Sequence, residues 1–152
     1  MRQGTARRQV QLASAVLGAA SGGRSTLGPV VARMASGSRS RAASLAALGS
    51  VAAELVGDKL PVAPNRLKPA PLSGRVFAGA ATGVLLGGRQ GAGRLVPAAL
   101  GAGGALAGSL AGAAWRGAWA RSGKPDLPAA LVEDAAAVGL AYAGYRLLRG
   151  TA

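Results

Sequence analysis

The chain contains no cysteine and no histidine. That removes thiol chemistry, disulfides, Cys/His zinc sites and a histidine general base, and it leaves the redox compartment unreadable. Acids are scarce, with five Asp+Glu against 18 Lys+Arg and a formal net charge of +13. Aromatics make up only 3% of residues. A soluble core so poor in large side chains gains little from burial, because Ala and Gly remove little apolar area from water. Phosphate-loop and nucleophile-elbow signatures are also missing: no Gly-rich run leads into Gly-Lys-Ser/Thr, and no G-x-S-x-G occurs. No enzyme activity, cofactor or metal is expected.

What remains is apolar, small and basic. The 152 residues suit one domain. Half are hydrophobic, 25 are Gly, and the mean hydropathy is +0.31. In lipid such a composition is favourable, since small side chains let helix backbones approach closely. The basic residues cluster between apolar stretches, as at Arg2/Arg7/Arg8, Arg33/Arg39/Arg41, Lys59/Arg66/Lys68/Arg75, Arg89/Arg94, Arg116/Arg121/Lys124 and Arg146/Arg149. That placement resembles the flanks of membrane helices, and no aromatics are interleaved as nucleic-acid stacking platforms. The expected partner is therefore the lipid bilayer, with no nucleic acid.

Five apolar stretches can be marked. Residues 9–23 continue after Arg24 as a second piece, 27–35, with Pro29 near its start. Residues 42–57, 76–88, 95–114 and 128–148 follow. Only 95–114 runs about 20 residues without a charge, the length that crosses a hydrocarbon core of roughly 30 Å. The stretch 76–88 would rely on Arg75 and Arg89 snorkelling to the interfaces. Pro61, Pro64, Pro69 and Pro71 mark residues 59–72 as a loop, and Pro128 suits the first turn of the last helix. The expected fold is all-α: a polytopic membrane bundle of about five (four to six) short Gly/Ala-rich helices, the first interrupted near Arg24 and Pro29. Residues 1–8 form a basic tail, 9–148 one transmembrane domain and 149–152 a second tail. Counting Arg and Lys over five crossings places the N-terminus in the cytoplasm of a multi-pass cell-membrane protein. This count sets Arg33, Arg39, Arg41, Arg89, Arg94, Arg146 and Arg149 on the side opposite the N-terminal arginines. The acid-free, Arg-rich residues 1–53 also read as a mitochondrial transit peptide, and the apolar stretch from Val10 resembles a signal-peptide core, although Arg24 and the piece after it do not form a clean cleavage region.

Gly79, Gly83 and Gly87 recur every four residues, as do Gly104, Gly108 and Gly112. Each set forms a smooth helix face, and the short turn at 89–94 lets the two faces pack as a hairpin. Charges inside or beside the apolar stretches are the candidate polar site: Arg24, Glu54, Asp58, Lys59, Glu133 and Asp134. A charge near mid-membrane costs at least about 2.5–3.5 kcal/mol on insertion scales, so it is normally paired or faces water. Two readings stand open. Asp58, Lys59, Glu133 and Asp134 can lie at interfaces, capping helices or pairing in loops. Alternatively Glu54 and one of Glu133/Asp134 converge on Arg24 inside the bundle, pairing charges or handling a cation or proton. Glu133 and Asp134 are about 100° apart on a helix, so at most one points at a given partner.

At these residues the chain resembles a bacterial family of integral membrane proteins designated domain of unknown function 4126. Ala53-Glu54-Leu55-Val56-Gly57-Asp58-Lys59-Leu60-Pro61 is similar to its E-x-x-x-D-K-[IL]-P element. Gly23-Arg24 through Pro29 is similar to a G-x-R-x-x-x-P-like turn, although Gly23 directly precedes Arg24 here. Pro71-Leu72-Ser73-Gly74-Arg75, the Gly103-Gly104 helix and the late Glu133-Asp134 pair follow in the family's order. The chain departs in being shorter, more basic and poorer in Leu and aromatics. The resemblance implies an integral membrane protein and no known activity. Two functions fit the residues: a small solute or ion transporter or channel-like protein using intramembrane acids, or a structural or accessory scaffold that oligomerises with further copies of itself through glycine-zipper helices.

Overall fold

A computed structural model describes residues 2–35 and 69–149. Among these the chain is helical throughout and has no strand: α1 (Arg2–Gly23), α2 (Leu27–Ala35), α3 (Pro69–Arg89), α4 (Leu95–Ala120) and α5 (Asp126–Arg149). Several helices outrun the apolar stretches. The first begins at Arg2, taking in the basic segment before Gln9. Pro69 and Pro71 belong to the first turn of α3 and not to a loop. The missing N–H of proline costs nothing there, because the first-turn N–H groups have no intrahelical partner. Pro128 lies in the first turn of α5 for the same reason.

Helix α1 forms the centre, touching each of the other four. It runs parallel to α4, with Gly18 against Gly101 and Gly22 against Ala105. It runs antiparallel to α5, with Leu17 against Gly144 and Gly23 against Ala137. Helices α3 and α4 form the expected antiparallel hairpin through a turn in which Gly91 and Gly93 take φ of 63° and 77°. Glycine suits that left-handed geometry because it has no Cβ to clash.

After α1 stops at Gly23, α2 doubles back along it. Gly28 lies on Ser21 and Leu17, and Ala32 joins Val10, Ala13, Leu17, Leu86, Ala92 and Leu148 in one apolar cluster. The pair α1–α2 is thus a hairpin whose tip, residues 24–26, is held inside the bundle. This reversal corrects the expected distribution of charge. Arg33, Arg89, Arg94, Arg146 and Arg149 end up at the same end as Arg7 and Arg8, and Arg116, Arg121, Lys124 and Asp126 occupy the other. The count over five crossings treated residues 9–35 as a broken span, whereas nine-residue α2 covers only about 14 Å and returns.

The interior is small and partly polar, and the exterior is large and apolar. Ala13, Ala20, Ala105 and Ala129 are fully buried, as are Ser14, Ser21 and Thr82. These three hydroxyls donate to Val10, Leu17 and Ala78 carbonyls one turn back, at 2.8, 3.1 and 2.8 Å. They therefore bring no unsatisfied donor into the core. Leu95 is 86% exposed and Phe77 74%, and Leu106, Leu110, Leu131 and Val138 also face outward. Two helices, α4 and α5, are long and apolar enough to cross a membrane by length and composition. The others differ for visible reasons: α2 is short, α1 carries Arg7 and Arg8, and α3 carries Arg75.

Candidate functional site

The tip of the α1–α2 hairpin is built by chain chemistry that favours a stop. Gly22-Gly23 is poor in helix propensity, and Thr26 begins α2, its carbonyl accepting Val30 N–H at 3.1 Å. Threonine is a favoured residue at such an N-cap. The end of α1 leaves carbonyls without intrahelical donors. The Gly22 carbonyl is taken by two other helices: Arg75 Nη1 of α3 donates at 2.9 Å and Ser109 Oγ of α4 at 3.2 Å. The helix dipole places partial negative charge at this terminus, which favours guanidinium groups there.

Arg24 follows immediately and is 2% exposed. Its Nη2 pairs with Asp134 Oδ1 of α5. Glu133, next in line, is turned away toward α4. It lies beside Gly112, and its Oε2 is 3.6 Å from Arg116 Nη1. Arg116 also pairs with Asp126 near the start of α5. Arg24, Arg75, Glu133 and Asp134 each have further interactions, so none is a lone charge. Among the pairs of helices that meet, α4 and α5 meet least. Between them a groove of about 240 Å³ opens, walled by Gly108, Gly112, Trp115, Val132, Glu133 and Ala136 among others. Trp115 Nε1 donates to the Ala129 carbonyl at 3.1 Å and closes one end of the contact.

The candidate residues thus divide. Arg24 and Asp134 are brought together, and Glu133 lies on the neighbouring face, lining the groove. Glu54, Asp58 and Lys59 lie outside the described residues. Arg75, expected to snorkel to an interface, is instead only 6% exposed. Its reach is spent on the Gly22 carbonyl, because α3 begins about a turn and a half before it, at Pro69. Ser109 and the Gly22 carbonyl were missed by the sequence reading. Ser109 carried a signal, as the one hydroxyl in the uncharged stretch 95–114. A backbone carbonyl carries none. Among the described residues, no group of three acids could hold a metal ion.

The glycine sets pack, but not all as one hairpin seam. Gly79, Gly83 and Gly87 meet Gly101, Pro97 and Gly93 across the α3–α4 interface. Gly104 and Gly108 turn instead to Ala15 and Ala19 of α1, and Gly112 to Glu133. Position 101 serves both seams, since Gly18 and Gly79 each abut its backbone. Compared with known proteins, the chain matches no family profile, no curated protein and no solved structure.

Proposed function

We propose that this chain is a multi-pass protein of the cell membrane, and that the charge cluster at the α1–α2 tip is a translocation site for a small solute or ion. The observation that carries the proposal is the depth of that cluster. At 1.5 Å per residue, Ser109 lies about 21 Å along α4 from Leu95 and about 10 Å from Arg116. Asp134 lies about 12 Å along α5 from Asp126 and about 18 Å from Arg146. Between charged limits about 30 Å apart, the cluster falls well inside. Broken helices and paired ionisable groups near the midplane are how membrane proteins build solute sites. Trp115 and Trp119, with Lys124 over the Trp119 ring, gather at one end of α4. Tyr142 and Tyr145, under Arg146 and Arg149, gather at the other end of α5. Such aromatic and basic belts suit two membrane–water interfaces. Arg7, Arg8, Arg33, Arg89, Arg94, Arg146 and Arg149 share the N-terminal end, which supports a cytoplasmic N-terminus. The likeness of the tip and the Glu133-Asp134 pair to the bacterial family above supports the same reading.

The test is flux into proteoliposomes under imposed proton, sodium or potassium gradients. Wild-type protein conducts, and Glu133→Gln and Asp134→Asn each lower the flux at least tenfold while the protein stays monodisperse. Absence of flux in wild type, or undiminished wild-type flux in both variants, sinks the proposal. A structural or accessory scaffold is the second reading, favoured by the outward stripe Ala99, Gly103 and Ala107 on α4. It predicts a wild-type oligomer on native gels that Gly103→Leu dissociates.

A further inference from the structure

The N-terminal end of the bundle carries a second feature outside the charge cluster. A cleft of about 150 Å³ between α2 and α3 is lined by Pro29, Arg33, Leu85 and Arg89. Arg33 stands in the last turn of α2 and Arg89 ends α3. Arg94, on the adjoining turn, lays its guanidinium along Gly88. Among the described residues the acids are Asp126, Glu133 and Asp134, all in the first half of α5 and far from this end. The two arginines therefore share one small cleft with no carboxylate among the described residues. Part of their placement is explained by the helix C-termini, which favour cations. That accounts for one charge at each helix end, and it does not account for two arginines lining the same cleft.

The lining is also graded. Leu85 lies one turn deeper than Arg89, and Pro29 one turn deeper than Arg33. The cleft is cationic at its mouth and apolar below. Arginine presents a planar fork that matches phosphate oxygens in pairs. Basic pockets between membrane helices suit the head groups of anionic lipids. A soluble anion would have no use for the apolar floor.

We infer that this cleft binds an anionic phospholipid, its phosphodiester held by Arg33 and Arg89 and its acyl ester region resting on Leu85 and Pro29. The inference rests on the membrane reading above. The experiment uses full-length protein in nanodiscs of phosphatidylcholine with a minor fraction of phosphatidylglycerol, released into mild detergent and weighed by native mass spectrometry. Wild type retains phosphatidylglycerol over phosphatidylcholine, and R33Q/R89Q lowers that preference about thirtyfold, taking about 1 kcal/mol for each arginine near an anionic surface. R121Q/K124Q, at the opposite end, retains it. No preference in wild type, or an unchanged preference in R33Q/R89Q, overturns the inference. So does displacement of the lipid by inorganic phosphate, which would make the site one for a free anion. A protein stripped from native membranes by alkaline carbonate fails the membrane reading itself, whereas a retained protein without lipid preference fails only this inference.

Discussion

At Gly22 three helices meet on one carbonyl oxygen, and the energetics of the site follow from how that oxygen and Arg24 are satisfied. Removing one of two donors to a buried acceptor costs about 1 kcal/mol. Ser109→Ala is therefore expected to lower thermal stability modestly in mild detergent, with Arg75 still bonded. The Arg24–Asp134 pair is a different case. Deleting one partner of a buried ion pair weakens the compensation of the other's charge, at a cost of up to about 3–5 kcal/mol, whereas removing both can be near neutral. Asp134→Asn should accordingly lower the melting temperature without unfolding the protein, and adding Arg24→Gln to it should restore part of the loss. A double variant no more stable than Asp134→Asn would show that Arg24 does not depend on this carboxylate.

Among the elements, the two glycine seams converge on one residue. A side chain at position 101 would strike the backbone of Gly79 and approach that of Gly83, and a side chain at position 18 would in turn strike the Gly101 carbonyl. Position 103, two residues on, faces open space. Gly101→Val should thus separate α4 from α3, seen as loss of folded protein by size-exclusion chromatography, while Gly103→Val elutes as a folded species. Equal behaviour of the two would contradict the packing. Much of this was legible from sequence. The apolar stretches locate the described helices, Gly22-Gly23-Arg24 with Pro29 marks the break, and the residues at 89–94 mark a hairpin turn. Three things were not. Four-residue glycine spacing defines a face but not its partner, so Gly104 and Gly108 could not be assigned to α1. A flanking arginine reads the same whether it snorkels or turns inward, which hid the burial of Arg75. The direction of α2 depends on packing against Ser21 and Leu17, and a short apolar run carries no sign of it.

For the molecule as a whole, the reversal at α2 makes the charge distribution lopsided in a way that can be probed chemically. Because the chain lacks cysteine, a single introduced thiol reports cleanly on its own position. Gln90→Cys, on the α3–α4 turn, should react with an impermeant maleimide only after permeabilisation of expressing bacterial cells. Ser122→Cys, beyond α4, should react in intact cells. The reverse pattern would invert the proposed orientation, and labelling of both in intact cells would place the two turns on the same side. Outward-facing Leu95, Phe77 and Leu131 lead to a further whole-molecule expectation: the protein stays in the membrane pellet through high salt and alkaline carbonate. Release by salt would mean that these faces are covered by something other than lipid.

The Arg24–Asp134 pair also imposes an order in time. Its partners are separated by 110 positions, so at about 5–20 residues per second the arginine is synthesised roughly 5–20 s before its carboxylate exists. During that interval the α1–α2 hairpin lacks Asp134 for Arg24, and for most of it also lacks a complete α4 to receive its small face. Assembly must therefore finish from the C-terminal side, and a ribosome stalled before α5 would leave a fragment that quality-control proteases can recognise.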